Sequence, residues 1–490
     1  MSVDETPEAQ NARVGARAAV STFWVTGASY AGYAVNLVTG VLLARLLDPA
    51  HFGTVALAAS LIVTLNMLTS WGLGAAIVAR PDIDERFLRT VLSLFLLLGL
   101  GVFAIVVLVA WLWSPSEPLV ALILAILGLL QVGVITAQVP QLLLQRDMKF
   151  RRVAVVNVLS VVAEGGLALG LAWAGFDVWS LVAGRLAGGL TQIFGYWLGS
   201  PWRPALALDR ELVRWCFDFG KSFFVINNLL TIQSRLDDIL VGVFAGKAAL
   251  GLYSKSFLLS ETVGQTIAPG LGRVMLPAFS TLREDSARLS ELYRYVIWGV
   301  LRVMILYSAL VALLARPLVA LVFGDKWLPM VPILRLLLIY GSSRPIYTPT
   351  RSLLVALGHQ EKVARVALAE TALFLPGIIV FTFLGGAVWA AMVVDVTTLL
   401  GITWLIRRVP RDIETHVLRD ALAPLLAGGL AAAPVWMLLQ GPLLDRPHWA
   451  AVLLGGAGFV ALYGLLLWLL ERRRLIDHST TLLRELRAAS

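Results

Sequence analysis

Three ionisable side chains, Arg235, Asp237 and Asp238, lie in an apolar segment, within the stretch SRLDDILVGVFAGKAALGLYSKSF. A helix turns about 100° per residue, so Arg235 and Asp238 share a face and are close enough to form an ion pair. The same face carries three hydrogen-bonding side chains, at Asn227, Thr231 and Ser234. These extend the stripe beyond what an ion pair needs, so it predicts a hydrated surface that faces a ligand. A purely structural ion pair is the alternative.

A second polar stripe follows one helix later in the chain. Its members recur on one helical face, at Lys255, Thr262, Thr266 and Arg273, and Glu261 flanks them. Carboxylates at bilayer depth are rare and often carry protons or cations, so Glu261 and Asp238 are candidates for ion coupling. Pairing of Glu261 with Lys255 or with an arginine is the structural alternative.

A third constellation lies in LRLLLIYGSSRPIYTPTRSLL, residues 334–354. Arg344 and Arg351 are two helical turns apart and share a face, with Tyr347 beside them. We expect the helix to be interrupted near its middle, which would free backbone carbonyl groups, at Gly341, Pro345 and Pro349.

The residue types favour an anionic ligand. Arginine stays charged when it is desolvated, and its planar fork of donors matches phosphate. Together with hydroxyl, amide and tyrosine groups, arginines suit a phosphate-bearing headgroup that carries sugars. A lipophilic cation would instead require carboxylates and aromatic rings. Arg185 and Arg302 add positive charge in two further apolar segments.

The elements that carry these residues are predicted to be membrane-spanning helices. Hydrophobic residues make up 58% of the chain and charged residues 14%, and the mean hydropathy is +0.81. Runs of about 20 apolar residues, the length that crosses a bilayer, follow one another with short gaps. They are continuously apolar rather than alternating, which favours helices over a barrel. About fourteen spans are predicted, centred near residues 32, 63, 100, 127, 163, 188, 232, 266, 304, 342, 373, 397, 430 and 459.

Lys and Arg are concentrated in alternate loops, and such loops face the cytoplasm. Examples of these inner loops are QRDMKFRR (145–152), RRVPR (407–411) and ERRRL (471–475). Both termini are therefore predicted to be cytosolic, in a multi-pass protein of the bacterial inner membrane. The N-terminal segment is too polar and acidic for a signal peptide. The net charge of +9 is explained by this topology and by attraction to anionic lipids, so no nucleic-acid partner is expected.

The chain contains an internal repeat. VLLARLLDPAHFGTVAL (41–57) aligns with ILVGVFAGKAALGLYSK (239–255), which places Gly53 on Gly251. In the same order, LLLQRDMKFRRVA (142–154) aligns with SLLVALGHQEKVA (352–364), and GFDVWSL (175–181) aligns with GGAVWAA (385–391). The period covers an even number of spans, so the copies should have the same orientation, related by an axis along the membrane normal.

The predicted architecture is an all-α polytopic membrane protein with two six-helix bundles related by a parallel repeat. The lobes are residues 1–205 and 206–410, and residues 411–490 hold an extra helix pair and a tail. The tail has the composition of an amphipathic helix on the inner membrane surface; a solvated tail is the alternative. Transporters of repeated architecture bind substrate at mid-membrane between the repeats, and we expect the same here.

Other kinds of chemistry find little support. One cysteine, Cys216, excludes an intramolecular disulfide, and five histidines show no metal-ligand spacing. Gly220-Lys221-Ser222 resembles the end of a phosphate-binding loop, but the earlier glycine position holds Trp215. We therefore expect no cofactor and no metal. The outer loops are too short for an extracytoplasmic catalytic domain, so an enzyme is not expected either.

Four motifs, in order, resemble one protein family. ARLLDPAHFGTVAL, QRDMKFRR, SRLDDILVGVFAGKAALGLYSKSF and GDKWLPMVPILRLLLIYG are similar to bacterial polysaccharide flippases of the O-antigen and exopolysaccharide type. These belong to the multidrug/oligosaccharidyl-lipid/polysaccharide exporter superfamily. The resemblance covers nearly the whole chain and implies a V-shaped pair of lobes, with spans 1, 2, 7 and 8 lining a cavity. It implies cavity or gate roles for Arg45, Arg235, Asp238, Lys255, Glu261 and Arg273.

The function predicted from the residues and the resemblance together is that of a flippase. It would move a polyprenyl-pyrophosphate-linked oligosaccharide across the cytoplasmic membrane by alternating access, for lipopolysaccharide or exopolysaccharide biosynthesis. The predicted substrate-binding residues are Arg45, Asn227, Thr231, Arg235, Asp238, Lys255, Arg273, Arg344, Tyr347 and Arg351. The predicted partners are the lipid-linked oligosaccharide, membrane lipids and other polysaccharide-assembly membrane proteins. The alternatives are a drug antiporter on the same scaffold, a membrane glycan polymerase or glycosyltransferase, and a non-transporting scaffold.

Overall fold

The computed structural model describes residues 7–489, apart from 70, 81, 444 and 445. Side chains are described for the same residues except 7–23, 25, 78–79, 222–223, 225–227, 229–234, 269, 273 and 473–489. The predicted surface tail therefore lies outside the described side chains.

Long helices joined by short turns make up the described chain. The first unit of packing contains α1 (Pro7–Leu46), α2 (Pro49–Asn66), α3 (Leu73–Ala79), α4 (Glu85–Trp113), α5 (Pro118–Arg146), α6 (Phe150–Trp173), α7 (Asp177–Gly199) and α8 (Arg210–Leu240). The chain continues through α9 (Lys247–Thr281), α10 (Ser286–Val322), α11 (Val331–Ala356), α12 (Gln360–Arg407), α13 (Val417–Gln440) and α14 (His448–Ala489). Shorter turns of helix lie at Met67–Thr69, Val241–Ala245 and Asp325–Met330.

Every predicted span centre falls within one of the long helices. α12 contains two of them, and Gly386, with φ of 64°, bends the chain between them. Among the described residues, nine helices are long and apolar enough to cross a membrane. α8, α9 and α11 are not among the nine, and these helices carry the charged stripes. The all-helical membrane fold is confirmed, while the total of fourteen spans stays a prediction.

Packing divides the helices into two compact units, residues 1–251 and 252–490. The lobe boundaries expected near residues 205 and 410 follow the sequence repeat rather than packing, and they stay predictions. In the first unit, one apolar cluster joins α2, α4, α5 and α7, with Val55 and Leu124 in its centre. A second joins α3, α4 and the start of α8 around Phe87 and Cys216. Together the two clusters fix α2 and α8, which carry the first polar site.

Two glycines aligned by the repeat lie at a close backbone crossing in the first unit. A Cβ at Gly53 would collide with the Lys247 carbonyl oxygen, and a Cβ at Gly251 would collide with the Pro49 carbonyl oxygen. Lys247 and Gly251 align with Pro49 and Gly53 in the sequence. The contact is therefore reciprocal, as a two-fold relation between the repeats would require. The side chain of Lys247 adds an ion pair, with 2.5 Å between its Nζ and Glu117 Oε2.

A second pair of aligned positions shares an unusual backbone conformation. Met148 and Gly358 both have positive φ, of 56° and 78°. Gly175 also has a positive φ, of 84°. Its aligned partner Gly385 does not, since the residue with positive φ lies one position later, at Gly386. These connectors support the repeat, which itself stays a prediction.

α10 ties the C-terminal helix pair to the second unit through a buried ion pair. The Arg302 side chain contacts Glu471 through both Nε, at 3.0 Å, and Nη2, and the two side chains are 8% and 5% exposed. Trp298 contributes its ring face 3.8 Å from the guanidinium carbon, and Tyr463 donates a hydrogen bond to the Arg302 carbonyl. The expected buried charge at Arg302 therefore serves the attachment of α13 and α14.

α11 runs without interruption from Val331 to Ala356, so the expected break near its middle is wrong. The helix continues although Pro345 and Pro349 lack the backbone N–H groups that would bond the carbonyls of Gly341 and Pro345. Gly341 has a different role, because a Cβ there would collide with the Ser260 carbonyl oxygen of α9. The glycine thus allows two helix backbones to touch, as small residues do between membrane helices.

We predict that Arg302→Met lowers the stability of the protein by about 3 kcal/mol or more, because it leaves the Glu471 carboxylate buried without its partner. The measurement is the melting temperature of the purified protein in detergent. The double variant Arg302→Met/Glu471→Met should recover most of the loss. A single variant that melts like the wild type would contradict a stabilising role for the pair.

Gly341→Ala should lower the melting temperature, although alanine is normally the better helix former by about 1 kcal/mol. The added methyl group would collide with the α9 backbone. Gly299→Ala in α10 is the matched control, since nothing lies within 4 Å of its Cβ position. We expect the control to melt at or above the wild-type temperature. Equal effects of the two substitutions would show that the α9–α11 contact is not tight.

Candidate functional site

Ser60, Arg235 and Asp238 form a polar cluster in the first unit. Arg235 Nη1 lies 3.6 Å from Asp238 Oδ2, and Ser60 Oγ donates to the same oxygen at 3.0 Å. The Asp238 side chain is 14% exposed, whereas that of Arg235 is 46% exposed. The structure thus confirms that the two charges share a helix face, and it leaves most of the guanidinium donors accessible.

The cluster is held where α2 crosses α8. A Cβ at Gly242 would lie 2.8 Å from a methyl group of Leu57, so the end of α8 packs directly on α2. The α-helix gives way to a π-helical turn, Val241–Ala245, and the chain then reverses at Gly246, with φ of 89°. π-turns of this kind often mark functional positions in helices. Ser60 was not predicted, because a lone serine in an apolar helix carries no signal until its partner is known.

The structure describes only some of the remaining predicted residues of this unit. Arg45 is exposed in the last turn of α1, where its charge complements the helix dipole. The side chains of Asn227 and Thr231 lie outside the described residues. The structure thus joins Arg235 to Asp238 and leaves the rest of the stripe as a prediction.

A second cluster lies in the second unit around Arg344. Its guanidinium is exposed and lies over the ring of Tyr347, with 5.5 Å from Cζ to the ring centre. The group interacts electrostatically with two carboxylates, those of Glu370 and Glu261. Tyr347 in turn interacts with exposed Arg351. The structure therefore brings together Glu261, Arg344, Tyr347 and Arg351.

Two buried carboxylates of α12 complete this region. Glu370 packs against Gly401, where a Cβ would lie 2.7 Å from a carboxylate oxygen. Asp395 Oδ1 accepts the backbone N–H of Tyr340 at 3.0 Å. Neither acid was in the predicted site, because the apolar residues around each of them in the sequence give no sign of its partner in the fold.

The α9 stripe is only partly described. Lys255 is partly buried, and Glu261 accepts a hydrogen bond from Gln265 at 3.2 Å. The side chain of Arg273 lies outside the described residues. Arg235, paired with Asp238, and Arg344, stacked over the Tyr347 ring, are therefore the chemically competent residues of the two units. Such groups can exchange a weak internal contact for a bidentate contact with a phosphate.

The sequence matches the model of a protein family described as "Polysaccharide biosynthesis protein". The match covers residues 42–332, more than half of the chain. The chain belongs to this family. The expected resemblance to polysaccharide flippases is thereby confirmed at the level of the family.

A curated relative supports the same assignment over almost the full length. The chain is 27% identical over 465 residues to the succinoglycan biosynthesis transport protein ExoT of Rhizobium meliloti (strain 1021). The alignment covers 91% of this chain and 92% of ExoT.

Two solved structures share the fold. A lipid II flippase, MurJ, in an inward closed conformation superimposes with a TM-score of 0.73 at 14% identity, over 91% of this chain and 98% of MurJ. An inward-facing multidrug resistance transporter of the MATE family, in the MOP superfamily, has a TM-score of 0.59 at 16% identity, over 76% of this chain and 93% of the transporter. At these identities the likeness establishes the fold alone, and the fold serves both lipid and drug transporters.

We predict that Ser60 and Asp238 are energetically coupled. In a double-mutant cycle of Ser60→Ala and Asp238→Asn, the interaction should contribute about 1 kcal/mol to thermal stability in detergent. Thr54→Ala on the same helix is the control, because the Thr54 hydroxyl bonds only its own helix at the Ala50 carbonyl. Additive effects of Ser60→Ala and Asp238→Asn would contradict the contact.

Proposed function

We propose that this protein is a flippase that moves a polyprenyl-pyrophosphate-linked oligosaccharide across the cytoplasmic membrane. The observation that carries the proposal is the half-exposed side chain of Arg235, paired with Asp238 in a chain that belongs to a polysaccharide biosynthesis family. The sequence predicts that this part of α8 lies at membrane depth. An exposed charge in the hydrocarbon region costs about 2.5–3.5 kcal/mol on insertion scales. A hydrated path through the protein removes this cost, and the exposed guanidinium then binds an anion.

Each cluster offers groups for recognition. Arg235 in the first unit and Arg344 in the second are each proposed as a phosphate contact, because guanidinium groups remain charged when water is displaced. Tyr347, with the predicted polar residues Asn227 and Thr231, supplies hydrogen bonds to the sugars. Asp238 and Glu261 are the carboxylates for ion coupling, and Glu370 joins them because it approaches Arg344. The substrate is released when one of these carboxylates pairs with the arginine again and displaces the phosphate.

Alternating access is the proposed transport cycle. The arginines would be open first to the cytoplasmic side and then to the outer side, while the polyprenyl chain stays in lipid. The proposed location is the inner membrane, with both termini cytosolic. The proposed substrate is an intermediate in the assembly of surface polysaccharide. The MurJ and ExoT names describe a flippase and a transport protein, which supports a transporter rather than an enzyme.

A drug antiporter is the second candidate, because a MATE transporter shares the fold. The exposed arginines disfavour it, since they repel the organic cations that such transporters export. A glycan polymerase finds no support in the family or in the relatives. The substrate class therefore depends on the sign of the charge that the clusters present.

The test measures translocation of a fluorescent lipid-linked oligosaccharide in proteoliposomes. We expect Arg235→Ala and Arg344→Ala each to lower the initial rate at least tenfold, since each removes a charged contact with pyrophosphate worth about 1.5–3 kcal/mol. Arg235→Lys should give an intermediate rate, because it keeps the charge and loses the fork.

Arg288→Ala and Arg365→Ala are the controls. Both side chains are exposed and pair with carboxylates on their own helices, so their loss should leave transport unchanged. Wild-type rates in both Arg235→Ala and Arg344→Ala would overturn the assignment. Efflux of an organic cation by the same proteoliposomes would favour the antiporter instead.

A further inference from the structure

The second unit contains a basic cavity at one end of four helices. It has a volume of about 610 Å³ and lies among the ends of α10, α11, α13 and α14. Three arginines and a histidine line it: Arg316, Arg335, Arg446 and His448. All four side chains are exposed. It is separate from the Arg344 cluster, with which it shares no lining residue.

The charged residues in the described wall of this cavity are all basic. None of its described lining residues is a carboxylate, although Asp445, next to Arg446 in the chain, lies outside the described residues. The Nε–H of Arg335 donates to the Ala312 carbonyl at 3.0 Å, which fixes that side chain in the wall. Elsewhere in this unit exposed arginines pair with acids, as Arg288 does with Asp285 and Arg365 with Glu361. Convergent guanidinium groups create a strong local field for an anion.

The rest of the wall is apolar and includes an aromatic side chain. Leu313, Leu439 and Leu443 line it together with Trp436, which is 55% exposed. Tryptophan favours the boundary between hydrocarbon and headgroups. A wall that combines basic and apolar side chains matches a molecule that carries a phosphate at one end and a hydrocarbon chain at the other.

The location of the cavity argues against a purely topological role for these arginines. The predicted orientation places these ends of α10, α11, α13 and α14 on the outer side, where basic residues are disfavoured. Three arginines in one outer cavity are therefore an exception to the preference of Lys and Arg for the inner loops of this chain. A local ligand explains their concentration.

We propose that this cavity binds the phosphate-bearing headgroup of a lipid in the outer leaflet. Arg316, Arg446 and His448 hold the phosphate, Arg335 completes the basic wall, and the leucines with Trp436 contact the first part of the hydrocarbon chain. The same chemistry is offered by an anionic phospholipid and by a polyprenyl diphosphate. The inference goes beyond the proposed flippase, since binding here does not require that translocation occurs.

The test is lipid binding to the full-length protein in detergent, measured by native mass spectrometry. The probes are dioleoyl phosphatidylglycerol, undecaprenyl diphosphate and, as a zwitterionic reference, dioleoyl phosphatidylcholine. We expect Arg316→Gln/Arg446→Gln to bind at least one anionic probe about tenfold more weakly than the wild type, with no change for phosphatidylcholine. This pair of substitutions leaves the Arg335 hydrogen bond to Ala312 intact. Whichever anionic probe loses affinity identifies the source of the phosphate.

Arg288→Gln/Arg365→Gln removes the same charge elsewhere on the surface and is the matched control. It should bind all three lipids like the wild type. The proposal is overturned if the cavity variant keeps wild-type affinity for both anionic probes, or if the control loses as much. The single variant Arg316→Gln, expected to show a smaller loss, decides the matter if the double variant melts at a lower temperature. This test does not measure transport. A negative result for lipid binding therefore leaves the flippase assignment unchanged, and a negative result for transport leaves the lipid-binding proposal unchanged.

Discussion

The cost of placing charge in a bilayer is the constraint on which the rest of this structure depends. Every ionisable group at membrane depth needs a partner, water or a ligand. Arg302 meets the requirement with a complete internal partner, Glu471, and both groups are removed from solvent. Arg235 meets it only partly, because Asp238 is at 3.6 Å and nearly half of the arginine side chain stays exposed. The guanidinium of Arg302 thus stabilises the packing of the helices, whereas that of Arg235 stays accessible to a ligand.

Close backbone contact is the second feature that organises the helices. Hydrophobic force does little between helices in lipid, so packing depends on how closely the backbones approach. Gly341 allows α11 to touch α9, and Gly53 and Gly251 allow a reciprocal contact in the first unit. These positions have no room for a side chain, and each lies within a few turns of a charged cluster. Tight packing therefore fixes the positions from which the exposed arginines extend.

The fold alone does not determine the substrate. A lipid II flippase and a multidrug transporter both share the architecture with this chain. In this chain, the exposed residues of both clusters are arginines, Arg235 and Arg344. Arginine is well suited to phosphate, and the family is one of polysaccharide biosynthesis. The site residues therefore carry the information about the ligand that the fold lacks.

The sequence by itself determined the membrane class, the positions of the long helices and the pairing of Arg235 with Asp238, because hydropathy and helical spacing are local properties. It also aligned Gly53 with Gly251, which the structure shows at a reciprocal contact. Only the tertiary structure decided that Ser60 bonds Asp238, that Arg302 joins Glu471, and that Glu370 approaches Arg344. It also showed that α11 is continuous despite its prolines. These facts depend on which helices become neighbours, and residues far apart in the chain carry no local mark of that choice.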